Sequence, residues 1–112
     1  MILEPLYDRI DLFIDELWQK VRRHERTLDS FFTSRNALGQ LHAFAKKHGF
    51  PEPMPGFIRS FKEHLIGRGL KPASVNAYLV AARVFFENCF ERGLISINPA
   101  KLVKGVDRKS VV

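Results

Sequence analysis

Cysteine, long apolar runs and strand-like alternation are all scarce in this chain, and each scarcity excludes something. The single cysteine, Cys89, permits no intramolecular disulfide and no cysteine-based zinc site, and it fits a reducing compartment. The longest stretch without a charged residue is the eleven from Pro72 to Ala82, about half of the ~20 apolar residues that a membrane-spanning helix needs. The N-terminus bears Glu4, Asp8 and Asp11 rather than a basic start followed by an apolar core, so no secretory signal is expected. Gly67-Arg68-Gly69 reads as a helix stop, not as part of a phosphate-binding loop. His24, His42, His48 and His64 are scattered, with no His-x-x-x-His pair, and no nucleophile and base assemble at useful spacing. No metal or cofactor is expected, and the chain alone reads as a non-enzyme.

What is present is enough for one hydrophobic core. The 112 residues are 46% apolar and include ten phenylalanines, which excludes a disordered chain. Eighteen Lys and Arg face twelve Asp and Glu, a net charge of +6, and the excess is unevenly placed. Residues 1–26 hold five cations and six carboxylates, a net of −1, so the remainder carries +7. Two windows, Ser30 to Pro51 and His64 to Phe86, contain no carboxylate at all. They carry Arg35, Lys46 and Lys47 in the first, and Arg68, Lys71 and Arg83 in the second. A phosphate-facing surface excludes like charge in this way. A buried core also excludes carboxylates, and that plainer explanation carries comparable weight.

The periodicity reads as four helices and a tail, an all-α chain. Leu6, Ile10, Phe13, Leu17 and Val21 recur at spacings of three and four, an amphipathic first helix. Its basic end (Lys20, Arg22, Arg23, Arg26) suits a helix C-terminus without invoking a ligand. The second helix is expected over Thr33 to Lys47, with an earlier start near Asp29 as the alternative. Leu38, Leu41, Phe44 and Ala45 form its stripe, Thr33 or Ser34 its cap, and His48-Gly49 its stop. A stiff loop, Pro51 to Gly56, precedes a short third helix from Phe57 to Ile66, with Phe57, Phe61 and Leu65 inward. The fourth helix starts near Pro72 and ends at Arg92-Gly93. Its stripe of Val75, Leu79, Ala82, Phe86, Cys89 and Phe90, widened by Tyr78 and Phe85, marks it as central, with Cys89 a core residue. Asn98-Pro99-Ala100 predicts a cap and first turn of a brief final helix before a polar tail from Lys104 to Val112.

The start of the fourth helix has a second reading. Ala73, Ser74, Asn76 and Ala77 are small or neutral, and Lys71 stands just before them. Such a helix end can approach a DNA backbone closely, its amides receiving a phosphate while Asn or Ser reaches base edges. The same residues equally suit a buried helix whose small side chains admit its neighbours.

The run from Phe57 through Ile66-Gly67-Arg68-Gly69-Leu70-Lys71-Pro72-Ala73-Ser74-Val75-Asn76-Ala77-Tyr78-Leu79, then Arg83-Val84-Phe85-Phe86, Gly93-Leu94-Ile95 and Asn98-Pro99-Ala100, resembles the N-terminal core-binding domain of tyrosine recombinases, the phage-integrase family. Upstream, Thr33-Ser34-Arg35, Leu41 and Phe44 are similar to that family's earlier helix, so the likeness covers residues 8–105 or so. The resemblance implies a four-helix, SAM-like orthogonal bundle over 1–105, with a short C-terminal helix or linker start, and a tail at 106–112 leading to a catalytic domain absent from this sequence. It implies that helices two and four clasp double-stranded DNA at a recombination site. The matching positions are Thr33, Arg35, Asn36 and Gly39 on the second helix, and Lys71, Ala73, Ser74, Asn76 and Ala77 at the fourth. Gly39, Ala73 and Ala77 have no polar side chain, so phosphate positioning is expected to dominate, with Asn36 and Asn76 reading bases. The family's catalytic Arg, Lys, His and nucleophilic Tyr have no counterpart around Tyr7 or Tyr78. A monomer when free, company of other recombinase protomers on DNA, and a cytoplasmic, bacterial or mobile-element setting follow from the same resemblance. Two rivals predict something else. A helical protein-interaction module would expose an apolar patch from Ile2, Leu3, Ile95, Ile97 and Val103, and a stand-alone DNA-binding regulator would use the same bundle.

Overall fold

The computed structural model describes residues 3–48 and 55–106, and contains four helices: α1 (Leu3–Arg22), α2 (Leu28–His48), α3 (Pro55–Gly67) and α4 (Pro72–Glu91). No strand occurs among the described residues. The chain is an all-α four-helix bundle. Helix α4 packs against the other three, most broadly against α2, as its long apolar stripe requires. Phe57, Phe61, Phe85, Phe86, Leu38, Leu41, Ile58 and Leu65 are fully buried, and Ile10, Phe13 and Leu17 close the core from α1. Phe13 meets Phe85 edge-on, with ring centroids 5.6 Å apart. Each such ring contributes about 1.5–3 kcal/mol by leaving water. Cys89 lies fully within this core. Phe90 does not: it is 44% exposed, because the position after Cys89 rotates off the buried face.

Three helix ends are made the same way. After α3, the Leu70 N–H reaches the Leu65 carbonyl and the Gly69 N–H reaches Ile66, with Gly69 at φ 81°. After α4, Leu94 bonds back to Cys89 and Gly93 to Phe90, with Gly93 at φ 74°. Both are Schellman closures, in which glycine adopts the left-handed conformation without a Cβ penalty. The end of α1 repeats the pattern on a non-glycine residue: His24 sits at φ 61°, with Glu25 bonded to Lys20 and His24 to Val21.

Helix α2 begins earlier than its apolar stripe, and neither Thr33 nor Ser34 caps it. Thr27 does: its hydroxyl accepts the Ser30 N–H at 3.2 Å. Thr33, a full turn inside, donates its hydroxyl to the Asp29 carbonyl at 3.0 Å, and buried Ser34 accepts from Arg26 at 2.7 Å. Helix α3 likewise starts at Pro55, since proline fits a first turn whose N–H would be unpaired anyway. The rest of the expected loop, Pro51 to Met54, and Gly49 of the expected stop lie outside what is described, while α2 itself runs to His48.

The brief final helix is replaced by two successive turns. Lys101 bonds back to Asn98 and Val103 to Ala100, and no helical ladder follows. Asn98 is a cap as expected, its side-chain oxygen accepting the Ala100 N–H at 3.0 Å. Its amide also donates to the Arg83 carbonyl and the Glu87 carboxylate, at 3.0 and 3.1 Å. Those bonds tie the chain to α4 and turn it back along that helix toward Asn76.

Candidate nucleic-acid interface

The two carboxylate-free windows become neighbours in space, because they supply most of α2 and most of α4, the two helices in broadest contact. An open hollow of about 300 Å³ lies between them, with Ser30, Thr33 and Ser34 on one side, Ala77, Val80, Ala81 and Val84 on the other, and Phe13 and Leu17 of α1 beneath. Thr33 and Ala77, matched from different helices, thus face one space. Arg35, Asn36 and Gly39 are exposed on the outer side of α2. The Arg35 guanidinium lies 5.8 Å from the Phe32 ring centroid, a cation–π contact on a half-exposed ring. A Cβ at Gly39 would meet nothing within 4 Å, so no packing demand explains that glycine.

At the start of α4, Lys71 is the N-cap residue with extended backbone (φ −67°, ψ 151°), and no side chain caps the helix. Its first turn holds no carboxylate, while Ala73 and Ser74 are exposed. Uncapped amides at a helix N-terminus are a ready receptor for an anion.

The two asparagines expected to read bases already have partners. The Asn36 amide donates to the Tyr78 hydroxyl at 2.9 Å. Asn76 is engaged at both ends: it donates to the Val106 carbonyl at 3.0 Å and accepts the Val106 N–H at 2.6 Å. Val106, expected to begin the tail, is therefore strapped onto the bundle, and Lys62 fixes the same strap by donating to the Lys104 carbonyl at 2.8 Å. Gly105 passes so close that a Cβ there would lie 2.6 Å from the Asn76 side-chain oxygen. Base reading by Asn76 requires the strap to move.

No family model, curated protein or solved structure matches this chain.

Residue periodicity did not single out Gln40. Its amide donates to the Tyr78 hydroxyl at 3.1 Å, and its carbonyl accepts from Arg68 at 2.6 Å. Asn36 and Gln40 are four apart on α2 and so share a face, which is the signal that could have found the pair. Through Tyr78 and Arg68 they join α2 to α4 and to the turn before it. Among the described residues the three ion pairs are Arg9–Glu16, Arg23–Glu25 and Arg92–Glu16, and none uses a cation from either window.

Proposed function

We propose that this chain is a DNA-binding module, built like the core-binding domain of a tyrosine recombinase, in which α2 and the start of α4 present cations to the phosphates of a duplex. One observation carries the reading. Arg35, Arg68 and Lys71 stand on adjoining elements, and among the described residues no carboxylate pairs with any of them, the three ion pairs there lying elsewhere. Charge left uncompensated along one face is the footprint of a polyanionic partner. The uncapped amides of α4 and the slim side chains Gly39, Ala73 and Ser74 add close approach. Within this reading the chain positions DNA for a catalytic domain and cuts nothing itself, so a suicide substrate should yield no covalent adduct.

The rival interaction module fares differently. Of its expected patch, Ile95 and Val103 pack against the core and Ile97 is exposed, while Ile2 and the Leu3 side chain lie outside the described set. Other exposed apolar groups include Leu12, Trp18, Phe32, Val80 and Val84. A protein partner would use groups of this kind where they adjoin. An NMR titration of the labelled chain with a generic duplex, at low and high salt, separates the two. Shifts on Thr33–Gly39 and Lys71–Ala77 that fade with salt are expected. No shifts at low salt would refute the DNA reading and leave the exposed apolar groups as the better guide.

A further inference from the structure

We infer that a second hollow, between the C-terminal half of α2 and the end of α3, is a phosphate-binding site. The inference rests on the DNA reading for its source of phosphate, though not for its chemistry. The hollow is about 310 Å³ and is lined by Gln40, Ala43, Phe44, Lys47, His64 and Arg68. Two permanent cations and an imidazole line it, and among the described residues no carboxylate does. None of the ion pairs among the described residues involves Lys47 or Arg68. Like charges gathered around one depression repel unless an anion sits between them.

The arrangement also has the parts that a phosphate group uses. Arg68 is exposed but tethered: one of its terminal nitrogens donates to the Gln40 carbonyl at 2.6 Å, and the Gln40 amide in turn donates to the Tyr78 hydroxyl. That anchoring orients the guanidinium and leaves its other N–H groups for a ligand. Lys47 adds a mobile point charge from the opposite wall, the usual complement to an arginine fork on phosphate oxygens. Phe44 forms an apolar floor, only 6% exposed, with the His64 ring tilted against it by 36° at 5.0 Å between centroids. An apolar floor lowers the local dielectric and strengthens the attraction of the cations for an anion.

The same hydrogen-bonded chain runs from Arg68 through Gln40 and Tyr78 to Asn36, so the hollow adjoins the face assigned to DNA. A phosphate in the nucleic-acid backbone and a free phosphate offer the same oxygens, and two titrations tell them apart. Inorganic phosphate added to the labelled chain should shift Gln40, His64 and Arg68, with the shifts lost in Lys47→Gln/Arg68→Gln. A short generic duplex should move the same signals, and the double variant should lower its salt slope by about two units. Chloride at matched ionic strength is the control.

If phosphate shifts these residues but no duplex binds, the site stands as a free-phosphate site and the DNA reading falls. If a duplex binds through Arg35 and Lys71 while Gln40, His64 and Arg68 stay still and the double variant matches the parent, this inference falls and the DNA reading stands. Silence in both titrations overturns both. Should the double variant fail to fold, the phosphate titration of the parent alone decides.

Discussion

The two ends of α4 treat positive charge in opposite ways. At its C-terminal end, Glu16 of α1 accepts from both Arg9 and Arg92, at 2.6 and 2.9 Å, and Asn88 accepts from the same two arginines at 3.4 and 3.2 Å. Along α2 and just before α4 the cations meet neutral groups: Arg35 an aromatic ring and Arg68 a glutamine carbonyl. So do Arg26, ahead of α2, on a serine hydroxyl, and Lys62 of α3, on a backbone carbonyl. The carboxylates of all three ion pairs come from Glu16 and Glu25, inside the N-terminal segment of net −1. Charge was sorted along the chain, and folding turned that sorting into a compensated end and an uncompensated face. The first kind of end ties α1 to the end of α4; the second is the face that the proposed reading assigns to DNA.

The largest expected effect tests the uncompensated face. Arg35→Glu combined with Lys71→Glu should weaken duplex binding roughly 100-fold at low salt and reduce the salt slope by about two units. Both positions are exposed and Lys71 precedes the first turn of α4, where a carboxylate suits the helix dipole, so the fold should survive. Fluorescence anisotropy against two unrelated duplexes reads the loss, which should be equal on both. Parent-like binding by a folded double variant would erase the distinction between the two ends.

The compensated end has its own test in Cys89. Burial pushes this thiol up from its ordinary 9.0 to about 11, against the lowering pull of Arg9 and then Arg92. Burial prevails over two nearby guanidiniums whose charge Glu16 already offsets. In the folded chain the thiol keeps its proton after the unfolded chain has lost it. Its contribution to stability is therefore complete below pH 9 and is lost as pH rises through about 11. The shift corresponds to about 2–3 kcal/mol. Urea melts of the parent and Cys89→Ala across that window should converge by this amount, and parallel curves would count against it. Glu16→Gln should be milder, about 1–2 kcal/mol, because it leaves Arg9, with a side chain only 12% exposed, beside a second cation and no carboxylate. It should leave duplex affinity unchanged.

How much of this was legible beforehand depends on what each feature needs. Helix α4 and its ends were readable because Pro72, the apolar stripe and Gly93 are local signals. For α2 the earlier start near Asp29 is the alternative that holds, while the cap differs. Apolar periodicity begins late, since Leu28, Asp29 and Ser30 turn outward or to the margin, and the cap is the threonine before them rather than Thr33 or Ser34. The final helix failed because Asn98 and buried Pro99 satisfy tertiary needs on α4 and not a helical ladder of their own. At the candidate interface, composition located the two helices, yet it gave no warning that Asn76 is bonded to the backbone thirty residues later. Contacts of that range have no periodic signature.

That last contact yields the smallest effect, and it bears on where the face ends. Gly105→Ala places a methyl 2.6 Å from the Asn76 oxygen that holds the Val106 N–H. Asparagine is the group able to yield, and when it rotates both of its bonds to Val106 are broken. Two partly exposed hydrogen bonds are worth about 1 kcal/mol together, so the melting transition should fall slightly while the core stays intact. The informative reading is the Asn76 side-chain amide in a proton–nitrogen spectrum, which should move toward its free position. If it does, and duplex affinity rises, Asn76 belongs to the uncompensated face and the strap covers it. If the amide is freed and affinity stays the same, the face stops at Lys71 and Ser74, and Asn76 serves only to anchor the chain as it leaves the bundle.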